Sequence, residues 1–95
     1  MAMISCVVEM FGLSREVSGV PEVEVKLEDN AKLEDVVAVL RRRFPVMEGP
    51  VIREGENRLE NYCIFNINGR FYHDENDLRI RDGERLRLLS LATGG

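Results

Sequence analysis

Residues 30–45 read NAKLEDVVAVLRRRFP, and in this stretch the hydrophobic period of the chain changes from that of a strand to that of a helix. The apolar residues follow the i, i+3, i+4, i+7 spacing of an amphipathic helix. They are Leu33, Val36, Val37, Leu40 and Phe44. Asn30 is a candidate N-cap, the arginines at 41–43 lie where the helix dipole favours cations, and Pro45 ends the pattern. We therefore predict one helix that packs its apolar stripe on a sheet.

The residues before this helix indicate two strands. Residues 3–11 alternate between apolar and mixed positions with a period of two, which predicts a first strand with one mainly apolar face. Residues 12–21 contain two glycines and a proline and are typical of a loop. Alternation resumes at Val23, Val25 and Leu27. The two strands should form a wide hairpin.

The residues after the helix indicate three further elements. We interpret residues 46–61 as an irregular surface connection, because they combine glycines, a proline and mixed charges. A third strand is predicted at 62–68, and Asn68-Gly69 is a strong signal for a two-residue hairpin that leads to a short fourth strand at 71–73. After a turn at Asp82-Gly83, a fifth strand should cover 85–91.

The order ββαββ predicts an α+β protein with the β-grasp (ubiquitin-like) fold. In this fold the first and last strands lie side by side in a mixed sheet, and a right-handed crossover places the helix on one face. We expect Leu86 and Leu88 to point inward from the last strand. The 95 residues suit one domain, which we assign to residues 1–91, followed by a flexible tail at 92–95.

Composition and charge exclude several functions. The net charge of −4 does not suit direct binding of nucleic acid. The longest apolar runs are far shorter than the ~20 residues of a membrane span, and the first residues do not resemble a secretory signal, so we expect a cytoplasmic protein without membrane contact. Cys6, Cys63 and His73 lack the spacing of a metal site, and no metal is expected.

Few side chains present chemistry of their own. Cys6 and Cys63 fall on apolar strand faces, where a packing role is expected, whereas a redox or thioester role would need an exposed thiol of low pKa. His73 lacks an identifiable nucleophile and is expected to be solvated near a turn. The arginines at 41–43 could bind an anion or an acidic partner, although basic residues at a helix end more often only complement the dipole. No catalytic residue is predicted.

The whole chain resembles the MoaD/ThiS family of ubiquitin-like sulfur carriers. The elements that carry the resemblance are FGLSRE at 11–16, RFP at 43–45, Asn68-Gly69, Asp82-Gly83 and the terminal Gly94-Gly95. The length and the Phe-Pro after the helix are more similar to MoaD, the small subunit of molybdopterin synthase, than to ThiS. Where many MoaD proteins have Pro-Pro before the tail, this chain has Ser90-Leu91.

The resemblance implies that the working group is the carboxylate of Gly95. A partner enzyme of the MoeB/ThiF type, related to ubiquitin-activating enzymes, would use ATP to form an acyl-adenylate, and a persulfide sulfur would then displace AMP. The thiocarboxylate would donate sulfur in molybdenum cofactor biosynthesis, together with a MoaE-like large subunit or another sulfur-acceptor enzyme. The carrier itself would hold no bound cofactor.

The tail and its surroundings are the expected site. Ala92, Thr93 and Gly94 should thread into partner active sites, and the missing Cβ of glycine permits close backbone approach. Two glycines at the last two positions would arise by chance in only roughly 0.5% of chains. Phe11, Leu89 and Leu91 are candidates for an exposed apolar patch on the sheet face away from the helix, which would mark the partner surface.

Three alternatives stay open on the sequence alone. The chain could carry sulfur for the synthesis of cysteine or thiamine, or for tRNA thiolation. It could be a protein modifier joined through Gly95 to lysines of its targets. It could also be a plain β-grasp binding module whose tail is idle.

Overall fold

The computed structural model describes residues 2–73 and 77–90, which contain five strands and two α-helices. The predicted boundary between domain and tail, at residue 91, lies outside these described residues. The elements in chain order are β1 (Met3–Met10), α1 (Leu13–Ser18), β2 (Glu22–Glu28), α2 (Leu33–Arg43), a 3₁₀-helix (Pro45–Met47), β3 (Cys63–Ile67), β4 (Arg70–Tyr72) and β5 (Arg85–Ser90).

The strands form one mixed sheet in the order β2-β1-β5-β3-β4. Strands β1 and β5 are parallel neighbours at its centre, and every other pair is antiparallel. Because the apolar stripe of α2 and the inward residues of β1, β2, β3 and β5 are buried in one core cluster, α2 covers one face of the sheet. The α+β class and the β-grasp arrangement are confirmed.

The predicted helix is α2, and its end is confirmed while its start was misplaced. The N-cap is Lys32 rather than Asn30, and the N–H of Lys32 donates to the Asp35 carboxylate at 2.8 Å. Asn30 instead has a φ of 79° and belongs to the turn after β2, a conformation that asparagine tolerates better than most residues. At the other end Phe44 caps the helix and Pro45 begins the 3₁₀-helix.

The predicted loop at 12–21 contains a helix that the sequence analysis missed. Helix α1 has six residues and ends at Gly19, which has a φ of 79° and donates its N–H to the carbonyl of Arg15. Leu13 and Val17, four residues apart, pack against the core. Six residues are too few to show the helical repeat of apolar positions, and the glycines at 12 and 19 favoured the prediction of a loop.

The prediction of a surface connection at 46–61 was wrong in one respect, because this segment also supplies core residues. Its buried side chains are Met47, Val51, Ile52 and Leu59. Glu48 holds the segment in place, since its carboxylate accepts the N–H of Gly55 at 2.6 Å and pairs with Arg41 at 3.2 Å. The hydrogen bond from Gly55 is the main cause that lowers the pKa of Glu48.

The remaining strands agree with prediction to within one or two residues. Asn68 and Gly69 have φ values of 54° and 83°, as the tight turn between β3 and β4 requires. Leu86 and Leu88 are completely buried, as predicted. In the part of the chain that the structure describes, the longest helix has 11 residues, and no helix is long and apolar enough to cross a membrane.

Candidate functional site

Strand β5, which precedes the predicted tail, is paired with a neighbouring strand on each side. It pairs with β1 on one side and β3 on the other, and its last residue, Ser90, lies opposite Cys63. The predicted site residues Leu91, Ala92, Thr93, Gly94 and Gly95 lie outside the described residues. The structure therefore describes the strand that precedes the last five residues, up to Ser90.

The connection between β1 and α1 lies beside the end of β5. The N–H of Phe11 donates to the carbonyl of Leu88 at 3.2 Å. Gly12 follows with a φ of 55°, and a Cβ built there would lie 3.9 Å from the Ser90 hydroxyl. That distance is an ordinary contact, so the backbone conformation, rather than lack of space, favours glycine at this position.

An apolar patch lies at the same end of the sheet, on the face away from α2. Leu89 lies directly opposite Ile64 on β3, and both alternate with core residues, so both belong to this outer face. Phe11 continues the outward alternation of β1 and is 41% exposed. We call Phe11, Ile64 and Leu89 the tail-end patch. The structure thus brings together two of the three predicted surface residues.

Ile64 is the member of the patch that the sequence analysis missed. It is only 7% exposed, yet it is absent from the core cluster that contains its neighbours Cys63 and Phe65. The signal was available, because an isoleucine stood at a position that alternation assigned to solvent. Because Ile64 is already covered within the chain, Phe11 and Leu89 present the accessible part of the tail-end patch.

Charged side chains stabilise the outer face next to the patch. Glu9 accepts hydrogen bonds from Arg85 at 2.8 Å and pairs with Arg87 at 3.3 Å. Arg85 also reaches Glu22 on β2 at 2.9 Å and so bridges two strands. The hydrogen bond to Glu9 is the main cause that raises the pKa of Arg85. The outer face is therefore apolar at the tail end and ion-paired in its middle.

A family model described as the ThiS family matches residues 8–95. The chain belongs to the ThiS family. It is a member of the ubiquitin-like sulfur carriers, and the match extends through the terminal Gly94 and Gly95.

One curated relative of this ThiS-family chain is the molybdopterin synthase sulfur carrier subunit of Chlamydomonas reinhardtii. The two are 26% identical over 85 residues, which cover 90% of this chain and 92% of the relative. The crystal structure of SAMP1 from Haloferax volcanii shares the fold with a TM-score of 0.81 at 23% identity, covering 96% of this chain and 99% of SAMP1. The solution structure of small archaeal modifier protein 1 from Methanosarcina acetivorans gives 0.76 at 22% identity, with 100% of each chain covered.

The cysteines of the ThiS-family chain are packing residues in the structure. Cys6 and Cys63 are each 1% exposed. Burial raises the pKa of each thiol from 9.0 to about 11, with Glu84 adding to the effect on Cys6 and Glu60 to that on Cys63. Because the thiolate is the reactive form, neither is an active nucleophile near neutral pH. His73 is exposed, as expected.

The arginines at 41–43 are partly engaged within the fold. Arg41 donates to Asn57 at 3.1 Å in addition to its ion pair with Glu48. Arg43 donates to the backbone carbonyl of Glu24 at 2.7 Å, on the edge strand β2. Two of the three therefore stabilise neighbouring segments. Among residues 2–73 and 77–90, no group of three His, Cys, Asp or Glu side chains could hold a metal ion.

Proposed function

We propose that this protein is a sulfur carrier whose Gly95 carboxylate is converted to a thiocarboxylate, and that its sulfur goes into molybdopterin. The observation that carries the proposal is the ThiS-family match over residues 8–95, a range that includes Gly94 and Gly95. The relative that is a molybdopterin synthase sulfur carrier subunit supports the choice of molybdopterin.

Activation is required because a free carboxylate is a poor electrophile. An oxygen of the Gly95 carboxylate attacks the α-phosphorus of ATP, and pyrophosphate leaves to give the acyl-adenylate. A persulfide sulfur then attacks the carbonyl carbon, and AMP leaves with the electrons of the broken C–O bond. A thiol that cleaves the resulting S–S bond releases the thiocarboxylate. The activating enzyme, of the MoeB/ThiF type, uses the ATP, and the carrier holds no cofactor.

The tail-end patch offers these partners a surface to bind. Strand β5 ends at Ser90, which lies opposite Cys63 on β3 and directly follows Leu89 of the tail-end patch. An enzyme that draws in the tail would cover Phe11 and Leu89 at the same time, and burial of their apolar area would add to its affinity. A MoaE-like large subunit is the proposed second partner. Catalysis belongs to the partners, since the carrier contributes only the sulfur-bearing group.

The test is the intact mass of the protein after incubation with ATP, a sulfide source and an active MoeB/ThiF-type enzyme. The expected result is a mass gain equal to the replacement of one oxygen by sulfur, absent from a variant that lacks Gly95. The matched control deletes Ala2 and leaves the tail intact. No gain with an enzyme that is active on another carrier would overturn the proposal.

A protein modifier is the second candidate, because the same fold occurs in a small archaeal modifier protein. In that case Gly95 would form an isopeptide bond with lysines of target proteins. Adducts in cell extract that survive reducing denaturation and disappear when Gly94 and Gly95 are deleted would support it. Thiocarboxylate formation without adducts would leave the carrier function alone.

A further inference from the structure

Three arginines line one open cleft at the end of the sheet opposite the tail. The cleft has a volume of about 380 Å³ and lies between the β3–β4 hairpin and residues 78–84. Its lining includes Arg70, Arg79 and Arg81. All three residues are exposed. Glu84 precedes β5 and Ser90 ends it, so the cleft is about 20 Å from the start of the tail.

The backbone under these arginines is anchored. Ile80, between Arg79 and Arg81, is 3% exposed, and its N–H donates to the carbonyl of Ala31 at 2.8 Å. The alternation around buried Ile80 turns both arginines away from the core. Arg70 follows the tight turn and lies opposite Ile67 on β3. The three positive charges are thus gathered before any ligand arrives.

The charges of the cleft are not neutralised within the described part of the chain. None of the guanidinium groups of Arg70, Arg79 and Arg81 has a hydrogen bond or ion pair with a residue in 2–73 or 77–90. Glu84 also lines the cleft, and its carboxylate accepts the backbone N–H of Arg81 at 3.2 Å. Nearby, the Lys32 ammonium pairs with the Asp77 carboxylate at 3.5 Å.

We propose that this cleft docks an acidic, extended segment of a partner protein. Guanidinium groups bind carboxylates through paired hydrogen bonds, so three of them suit a segment with several Asp or Glu side chains. A protein segment is favoured over a free phosphate because Tyr72 and Leu78 line the cleft beside the arginines, and β4 is an edge strand of the sheet. Tyr72 and Leu78 offer apolar contact, and the edge strand offers backbone pairing, that a free phosphate cannot use.

The position of the cleft would allow it to be bound at the same time as the tail. Since the cleft and the tail-end patch are at opposite ends of β5, a partner can hold the cleft while another enzyme holds the tail. The inference goes beyond the proposed sulfur chemistry, and either can fail without the other. A chain that forms a thiocarboxylate but binds no acidic segment would refute only the docking.

The experiment is an NMR titration of the ¹⁵N-labelled full chain with a synthetic peptide of alternating glutamate and valine. The expected result is a saturable shift of the Arg70, Arg79 and Arg81 Nε resonances and of the Phe71 amide. The double variant R79A/R81A should bind at least about tenfold more weakly, and R70A should also lose affinity. The matched control R42A removes an exposed arginine of α2 outside the cleft and should bind as the parent does.

Four results would overturn the proposal. One is the absence of a saturable shift with the peptide. Another is binding of inorganic phosphate as tight as that of the peptide, or equal binding of a glutamate–glycine peptide, because either would show that the cleft recognises charge alone. The last is an equal loss in R42A, which would show unspecific attraction. The variants' amide spectra verify folding, and R70A alone suffices if the double variant is disturbed.

Discussion

Phe11 and Leu88 are joined by a backbone hydrogen bond of 3.2 Å, from the N–H of Phe11 to the carbonyl of Leu88. This bond ties the connection after β1 to the strand that leads to the tail. It also places the exposed Phe11 beside the end of β5, although Phe11 and Leu88 are 77 positions apart in the chain. A change of the Phe11 side chain leaves this backbone bond intact, so recognition can be tested separately from folding.

The Phe11→Ala variant should slow activation by the MoeB/ThiF-type enzyme at least about fivefold, with a free energy of unfolding within ~1 kcal/mol of the parent. The reason is the loss of apolar contact area in the tail-end patch. Adenylation rates and urea unfolding measure the two quantities. Met3→Ala is the matched control, because Met3 is 60% exposed at the start of β1, away from the patch. An equal slowing in Met3→Ala would contradict the assignment of the patch.

Alanine substitutions of two leucines on β5 should affect stability and partner binding to different extents. Leu86 is completely buried on the helix side, so Leu86→Ala should lower the free energy of unfolding by about 2–5 kcal/mol. Leu89 is only half-buried on the outer face, and Leu89→Ala should cost less stability but weaken partner binding. Urea denaturation and calorimetry with the activating enzyme give the comparison. A larger loss of stability for Leu89→Ala would show that the two faces are wrongly assigned.

The glycine pair of the tail is open to a direct test. Gly94→Val should reduce thiocarboxylate formation at least about tenfold, because a branched side chain prevents the close backbone approach proposed for the partner's channel. Thermal unfolding should be unchanged. Ala2→Val adds the same branched side chain at an exposed position before β1 and serves as the control. Normal thiocarboxylate yield in Gly94→Val, measured by intact mass, would rule out this role for Gly94.

The buried thiols should make the fold sensitive to alkali. Their pKa is raised from 9.0 to about 11 in the folded state, so the unfolded chain loses these protons first as the pH rises. Stability from the thiols is therefore fully present below pH 9 and decreases between pH 9 and 11. The loss is at most about 1.4 kcal/mol per pH unit for each cysteine. Urea unfolding across this range checks it, and the variant C6A/C63A should show a flatter pH dependence.

The ion pairs of Glu9 should contribute little to stability despite their short distances. Arg85 is exposed and can regain hydration, so Arg85→Ala should change the free energy of unfolding no more than the loss of an unpaired surface charge does. Raising the salt concentration should shrink the difference from the parent. Arg15→Ala, on α1, is a control for the loss of one surface charge. A loss of several kcal/mol, measured by urea unfolding, would mean that this network is a folding determinant.

Local patterns in the sequence predicted most of the fold. The helical spacing of residues 33–44, the alternation in the strands and the Asn68-Gly69 turn depend on neighbours a few residues apart, and each was recovered to within a few positions. Elements that depend on distant packing were not. Helix α1 is too short to show a period, and Met47 and Ile52 are buried because α2 and the sheet leave room for them, which no local pattern records.

For the site, residue order alone was enough to predict a working end at Gly94-Gly95 and to give the ThiS-family match over residues 8–95. Which surfaces lie beside that end depends on contacts between strands that are distant in the chain. Phe11, Ile64 and Leu89 become neighbours through the parallel pairing of β1 with β5 and the antiparallel pairing of β3 with β5. Arg70 likewise joins Arg79 and Arg81 only when the hairpin folds against residues 78–84. Such groupings form because strands distant in sequence bury their apolar faces in one core, and burial depends on area rather than on sequence order.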